Sequence, residues 1–212
     1  LDTLLKSEHF FDPLNRGCLI KSPLELGVEL CREFDVKFPN AVTEYVDAYN
    51  MWDYIRAQVA TFNQDFADPP SVSGWPAYYQ EPQFYELWIN SDTLPKRNRF
   101  TDIMVTTGYT RSGKNIKIDP IAFAKKMSNP GDPNILITDS LAILYRVPLS
   151  QISRDTIKKN ILLSGQDQDY YWTNAWNAYI ANPTDTMALQ TVNTRLRDLY
   201  KYFMNLAEYQ LA

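Results

Sequence analysis

The feature that most constrains the fold is the spacing of apolar residues near the carboxy end of the sequence. Large apolar residues recur there at Leu189, Val192, Leu196, Leu199, Phe203 and Leu206. An average spacing of about 3.5 residues places all of these side chains along one seam of an α-helix. The sequence therefore predicts a long helix whose seam packs on other helices.

Proline and capping residues mark where several other helices begin. Ser22-Pro23-Leu24-Glu25 combines a capping box with proline at the first helical position. Asp119-Pro120 and Asp132-Pro133 each place a capping acceptor before a proline. Ser150 or Ser153 caps a helix that ends near Gly165. These signals and the apolar periodicity predict helices over 23–34, 43–62, 92–107, 120–127, 133–146, 150–163, 172–182 and 189–206.

No segment of the sequence shows a convincing strand pattern. Residues 109–118 are polar, contain glycine and alternate slightly, which predicts a loop or at most a small hairpin. We therefore expect an all-α fold, a single irregular domain of about seven to nine helices over residues 1–212. A soft domain boundary, if there is one, falls near 109–118.

Two of the predicted helices carry unusually many apolar side chains. Helix 23–34 has two adjacent stripes, Leu24, Val28, Cys31 and Leu26, Leu30, Phe34. A helix that packs on one side has a single apolar stripe, so two adjacent stripes predict a buried helix. Helix 43–62 has one aromatic-rich stripe at steps of three or four, formed by Tyr45, Tyr49, Trp52, Ile55, Val59 and Phe62. This stripe predicts an amphipathic helix.

Residues 66–82 form a proline-rich stretch without helical period, between two periodic segments. Proline fixes φ, so this stretch predicts a rigid loop rather than a flexible linker. We expect Gly74 to have a positive φ or a tight backbone contact. We expect Trp75 to be mostly buried against helix 43–62 or against the segment 84–107.

Aromatic residues in and after this loop are the candidate ligand-binding residues. Trp75, Tyr78, Tyr79 and Trp88 offer flat surfaces that suit a sugar or a peptide. The alternative is that they fasten the loop to neighbouring helices. Fastening is favoured for Trp75 and Trp88, whereas both interpretations stay open for Tyr78 and Tyr79, whose hydroxyl groups tolerate exposure.

The composition argues against several classes of function. The 21 basic and 25 acidic residues give a net charge of -4 without charge blocks, which argues against nucleic acid as a partner. No apolar run is long enough to cross a membrane. One histidine, His9, and two cysteines, Cys18 and Cys31, leave no metal-ligand pattern, and no cofactor is expected. A Cys18–Cys31 bridge and two small buried thiols are both compatible with this sequence.

Three short patterns resemble catalytic or binding motifs without meeting their requirements. Residues 108–115 approach a phosphate-binding loop, but Asn115 stands where serine or threonine would hold Mg²⁺. His9 adjoins Ser7 and Glu8, yet neighbours in sequence need not converge on one reacting atom. Asp167 and Asp169 begin like a calcium loop that lacks its later ligands. We therefore predict no catalytic residue in this chain.

Several of these segments together resemble the carboxy-terminal half of the bacterial family known as domain of unknown function 1800. They are Leu5 to Phe11, Ile20 to Pro23, Asp68-Pro69-Pro70 to Gly74-Trp75-Pro76, Trp88 to Ser91 and Leu206 to Gln210, in the same order. Members of this family are longer and commonly exported, and they are often encoded beside a secreted sulfatase-like protein. The resemblance implies an extracytoplasmic location, periplasmic or at the cell surface, and a candidate partner, but no reaction.

The start at Leu1 rather than methionine, with the greater length of family members, predicts that this chain is part of a longer protein. We then expect an exposed apolar patch near Leu1, Leu4 and Leu5. For function, the first hypothesis is an exported, non-catalytic binding or scaffolding module for a glycan or a partner protein. The second is an extracytoplasmic hydrolase or accessory enzyme whose active site lies mainly in the missing amino-terminal half.

Overall fold

The computed structural model describes residues 1–66, 68–75 and 84–212. Within this described part, the only sheet is a two-stranded hairpin, and none of the helices is both long and apolar enough to cross a membrane. The expected all-α, multi-helix fold is confirmed. The α-helices are α1 (Asp2–Leu5), α2 (Pro23–Glu33), α3 (Tyr45–Thr61), α4 (Thr93–Thr106), α5 (Pro120–Ala124), α6 (Pro133–Leu144), α7 (Gln151–Ile157), α8 (Tyr170–Ala181) and α9 (Thr186–Asn205).

The predicted helix starts are confirmed by their capping hydrogen bonds. The Ser22 hydroxyl accepts from the Glu25 amide, and the Glu25 carboxylate accepts from the Ser22 amide, which completes the capping box of α2. Asp119 and Asp132 accept from amides in the first turns of α5 and α6. Ser150 rather than Ser153 caps α7. This helix continues into a π-helical turn, Lys158–Leu162. The starts of these helices are determined by local interactions, because each capping side chain lies within three residues of the amide that donates to it.

Residues 109–118 contain the hairpin that was one of the two expected outcomes. Strand β1 (Tyr109–Arg111) pairs antiparallel with β2 (Lys114–Ile116), so that Tyr109 lies opposite Ile116. The Tyr109 ring stacks on Tyr54 of α3, with ring centres 3.8 Å apart. The hairpin thereby packs on α3.

Helix α9 lies at the centre of the fold and packs against α4, α5 and α8. Its seam is buried from Val192 to Phe203, as predicted, whereas Leu189 at the start is partly exposed. Tyr200 of α9 meets Phe34 and Phe123 in an aromatic cluster with ring centres 4.4 to 5.8 Å apart. This cluster joins residues from both sides of the hairpin in one core.

The buried faces of α2 and α3 differ from the predicted ones. In α2 only the stripe of Leu26 and Leu30 is buried, together with Phe34 just beyond the helix; the second stripe stays half-buried. In α3 the buried residues are Ala48, Met51, Ile55 and Val59. The prediction was wrong for the first half of α3, where Tyr45, Tyr49 and Trp52 are exposed. The smaller side chains of Ala48 and Met51 face the neighbouring elements instead.

The carboxy-terminal segment pairs with residues near the start of the chain. The Lys21 amide donates to the Gln210 carbonyl at 2.7 Å, and the Ala212 amide donates to the Leu19 carbonyl at 2.8 Å. The buried guanidinium of Arg97, on α4, donates to the Gln210 side chain at 2.8 Å and to the Lys21 carbonyl at 2.9 Å. Arg97 therefore joins α4 to both segments.

The amino-terminal residues carry exposed apolar side chains. Helix α1 has no buried residue, and Leu1, Leu4 and Leu5 are all exposed. The exposed rings of Phe10 and Phe11, in the following 3-10 helix, meet edge to face with centres 5.2 Å apart. The chain thus has the exposed apolar residues expected near Leu1.

Candidate functional site

The described part of the proline-rich loop is shaped by a tight turn that ends at Gly74. The Ser71 hydroxyl donates to the Gly74 carbonyl, and the Gly74 amide donates to the Ser71 carbonyl, both at 2.9 Å. Gly74 has φ +89°, as predicted, and a Cβ added there would meet nothing within 4 Å. Glycine is therefore required by the backbone conformation and not by crowding.

A cleft of about 620 Å³ brings the two candidate tryptophans together. Trp88, at the end of the 3-10 helix Phe84–Trp88, is almost completely buried. Trp75 is half-buried and not mostly buried as expected, because one side of the residue faces the open cleft. The Trp88 carbonyl accepts from the Thr93 hydroxyl at 3.0 Å, which attaches the 3-10 helix to the start of α4. The cleft is lined by Ala60, Asn63, Asp65, Asp68, Pro70, Trp75, Glu86, Leu87, Trp88 and Asn90.

Acidic and amide side chains form the polar part of this cleft. The Asp65 carboxylate is held by the Arg56 guanidinium, at 3.1 Å from Nη1. The Asn90 side-chain oxygen accepts from the Asp92 and Thr93 amides, both at 2.9 Å, and so binds backbone amides at the start of α4. Asp68 and Glu86 are exposed and form no ion pair with any described residue. Among the described residues, Asp68 and Glu86 therefore provide exposed acceptors without an ion pair in the cleft that Trp75 lines.

Only two of the four candidate ligand-binding residues lie within the described part of the chain. It brings Trp75 and Trp88 into one cleft, whereas Tyr78 and Tyr79 lie outside the described residues. Sequence reasoning missed the carboxylates Asp65, Asp68 and Glu86. Their positions immediately before the loop, within it and just after it were the available signal, since a loop that forms a site brings residues next to it toward that site.

The patterns that resemble known motifs form no site. Lys114, the lysine of the phosphate-loop-like segment, pairs with Glu44. His9 is exposed, and the Ser7 hydroxyl donates to the Leu4 carbonyl at 2.7 Å rather than to His9. Asp169 lies at the start of α8, 3.1 Å from the Lys158 ammonium. Both cysteines are free; Cys18 is exposed and Cys31 is half-buried.

A buried charge cluster connects α2 with the carboxy-terminal segment. Lys21 Nζ lies 3.0 Å from Glu29 Oε2 and 4.4 Å from the centre of the Tyr209 ring. The Arg146 guanidinium contacts Glu29 and lies 3.6 Å from Glu33 Oε1. Burial, followed by the adjacent Glu29 carboxylate, raises the pKa of Glu33 to about 8. Lys21 is buried in this cluster and both carboxylates are largely covered, whereas Arg146 lies at the exposed edge.

Comparison with known proteins identifies the family. The model of the family described as "Protein of unknown function (DUF1800)" matches residues 1–211. No curated protein and no solved structure matches the chain. Since the family match covers nearly every residue, this chain belongs to the DUF1800 family.

Proposed function

We propose that this chain is a non-catalytic binding or scaffolding module that binds a glycan in the cleft between Trp75 and Trp88. The observation that carries the proposal is that the half-buried Trp75 and two exposed carboxylates, Asp68 and Glu86, line one cleft whose wall includes the buried Trp88. Sugars present an apolar C–H face, which suits an indole ring, and hydroxyl donors, which suit carboxylate acceptors. The half-buried Trp75 combines a fixed position with an accessible ring.

The negative charges in the cleft should discriminate between anionic and neutral glycans. Asp68 and Glu86 have no ion pair within the described part of the chain, and Arg56 is already engaged with Asp53 and Asp65. An anionic sugar would therefore meet uncompensated negative charge at this cleft. We expect a neutral or amino sugar to bind.

Location and partner are further parts of the proposal. Family resemblance supports an exported protein that acts in the periplasm or at the cell surface. It also supports a secreted sulfatase-like protein as the partner of a scaffolding module. A glycan-binding cleft suits this location, where polysaccharides are abundant.

Titration with soluble tetrasaccharides tests the proposal. Chitotetraose and cellotetraose, followed by calorimetry, should bind, and Trp75→Ala should weaken the affinity at least tenfold, about 1.4 kcal/mol. Asp68→Asn should weaken it less, because it removes a charge but keeps an acceptor. Trp52→Ala, a change of an exposed tryptophan outside the cleft, is the matched control and should bind like the wild type.

Binding that Trp75→Ala leaves unchanged would contradict this assignment of the cleft, as would failure of both saccharides to bind. A polyuronate should bind more weakly than either neutral saccharide if the cleft charges act as described. Melting curves of each variant separate lost binding from lost structure.

A second candidate is an extracytoplasmic hydrolase or accessory enzyme to whose active site this cleft contributes. The observation that favours it is that Asp68 and Glu86, which have no ion pair among the described residues, line one cleft, since glycoside hydrolysis uses two carboxyl groups. Release of shorter sugars from the tetrasaccharides, abolished in Glu86→Gln while binding persists, would favour the enzyme over the binding module.

A further inference from the structure

A second, apolar groove lies between α2 and α3 and shares no lining residue with the tryptophan cleft. Its volume is about 320 Å³. Small-molecule sites occupy roughly 300–1,000 Å³ and are mostly apolar. The groove is lined by Leu24, Gly27, Val28, Cys31, Arg32, Phe38, Trp52, Ile55, Arg56, Val59 and Phe66.

The groove explains why α2 has a second apolar stripe. The half-buried residues Leu24, Val28 and Cys31, which no other element covers fully, form one wall of the groove. The opposite wall includes Trp52, whose ring meets Tyr49 edge to face 5.1 Å away on the exposed surface of α3. The half-buried stripe of α2 and Trp52 of α3 therefore line the same groove, whereas the exposed Tyr45 and Tyr49 lie outside its lining.

The two guanidinium groups in this groove differ in their partners. Arg56 is neutralised, since its Nε lies 2.8 Å from Asp53 and its Nη1 lies 3.1 Å from Asp65. Arg32 is exposed and, within the described part of the chain, pairs with no carboxylate. Among the described residues, the lining contains no acidic side chain. In this part of the chain the groove thus has an apolar body and, at its rim, the positive charge of Arg32 without an acidic partner.

The chemistry of the lining thiol excludes one use of the groove. Burial raises the pKa of the Cys31 thiol to about 12, so it stays protonated at neutral pH. A thiol in this state is a poor nucleophile. Cys31 therefore acts as an apolar wall residue, and the groove is suited to binding rather than to covalent chemistry.

We propose that this groove binds one single-chain amphiphile with an anionic headgroup, of the fatty-acid class. The acyl chain lies between α2 and α3, and the carboxylate pairs with Arg32. The small volume favours one free chain over a two-chain lipid in a bilayer or a partner helix, either of which needs a longer surface. The proposal is independent of glycan binding at Trp75.

Dodecanoate, kept below its micelle-forming concentration, is the probe. Calorimetry should show one site, and octanoate should bind much more weakly, because each buried methylene contributes about a fourfold change in affinity. Arg32→Gln should weaken dodecanoate binding about tenfold while leaving binding of neutral dodecanol unchanged. Val28→Phe, which fills the groove, should weaken the binding of both probes.

Matched controls keep the test specific. Arg111→Gln removes an exposed guanidinium from the hairpin and should bind dodecanoate like the wild type. Melting curves show whether Val28→Phe is folded, and if it is not, Leu24→Trp is the alternative groove-filling change. Binding that does not depend on chain length, or that Arg32→Gln reduces equally for dodecanol, would overturn the proposal. Binding to anionic phospholipid vesicles without binding to monomeric dodecanoate would also overturn it.

Discussion

At the scale of single residues, the protonation of Glu33 should change the stability of the fold near neutral pH. Burial and Glu29 raise its pKa from an ordinary 4.5 to about 8 in the folded protein. Between these pH values the folded chain binds a proton that the unfolded chain has released. The stabilising contribution of the protonated group is therefore complete below about pH 4.5 and is lost as the pH rises through 8.

We expect the free energy of unfolding to fall by about 3 kcal/mol from this group between pH 5 and pH 8. Urea unfolding at several pH values measures this slope. Glu33→Gln mimics the protonated state and should flatten the slope, whereas Glu8→Gln, a change of an exposed carboxylate, should not. An unchanged slope in Glu33→Gln would show that Lys21 and Arg146 keep Glu33 ionised.

At the scale of elements, substitution of two glycines at the hairpin distinguishes the effect of backbone strain from that of steric crowding. Gly108 and Gly113 both have positive φ, at +67° and +76°. A Cβ on Gly108 would lie 2.3 Å from the Ile116 carbonyl oxygen, whereas one on Gly113 would meet nothing within 4 Å. Alanine at either position would therefore have to adopt the unfavourable left-handed backbone conformation. Only at position 108 would its methyl group also clash with a neighbouring atom.

Gly113→Ala should lower the free energy of unfolding by about 1 kcal/mol, the cost of left-handed backbone. Gly108→Ala should lower it by about 3 kcal/mol, because the strand pairing must shift to relieve the clash. Denaturant titration of both variants measures the difference. Equal losses would mean that the start of the hairpin moves freely enough to accept the methyl group.

The hairpin and helix ends were largely predictable, whereas the choice of buried face was not. Capping at Ser22, Asp119 and Asp132 depends on atoms within three residues, so the sequence carries the whole signal. The face of α3 that is buried depends on which elements pack beside it. An aromatic periodicity at Tyr45, Tyr49 and Trp52 cannot reveal that the packed side is the one carrying Ala48 and Met51.

The whole molecule has one continuous buried core on both sides of the hairpin. Phe34, before it, contacts Phe123 and Tyr200, after it. We therefore expect a single cooperative transition, with tryptophan fluorescence and far-ultraviolet circular dichroism giving the same denaturant midpoint. Two separate midpoints would instead support a domain boundary near 109–118.

The tryptophan cleft was only partly predictable at this scale. Trp75 and Trp88 were candidates because aromatic residues are conspicuous in a polar, proline-rich segment. Asp68 and Glu86 were not, since exposed carboxylates are common and their convergence in one cleft depends on tertiary packing. Tyr78 and Tyr79 stay predictions, because they lie outside the residues described.

The pairing of residues 19–21 with residues 210–212 also bears on how the protein is made. The buried Arg97 guanidinium obtains its acceptors from Lys21 and from Gln210, which lies 113 residues further along the chain. Closing so long a loop carries a large entropic cost, and contacts of this kind form late in folding. A ribosome-bound chain that has not yet released residue 210 would have to keep Arg97 hydrated. We therefore expect nascent chains to remain sensitive to proteases until this segment emerges.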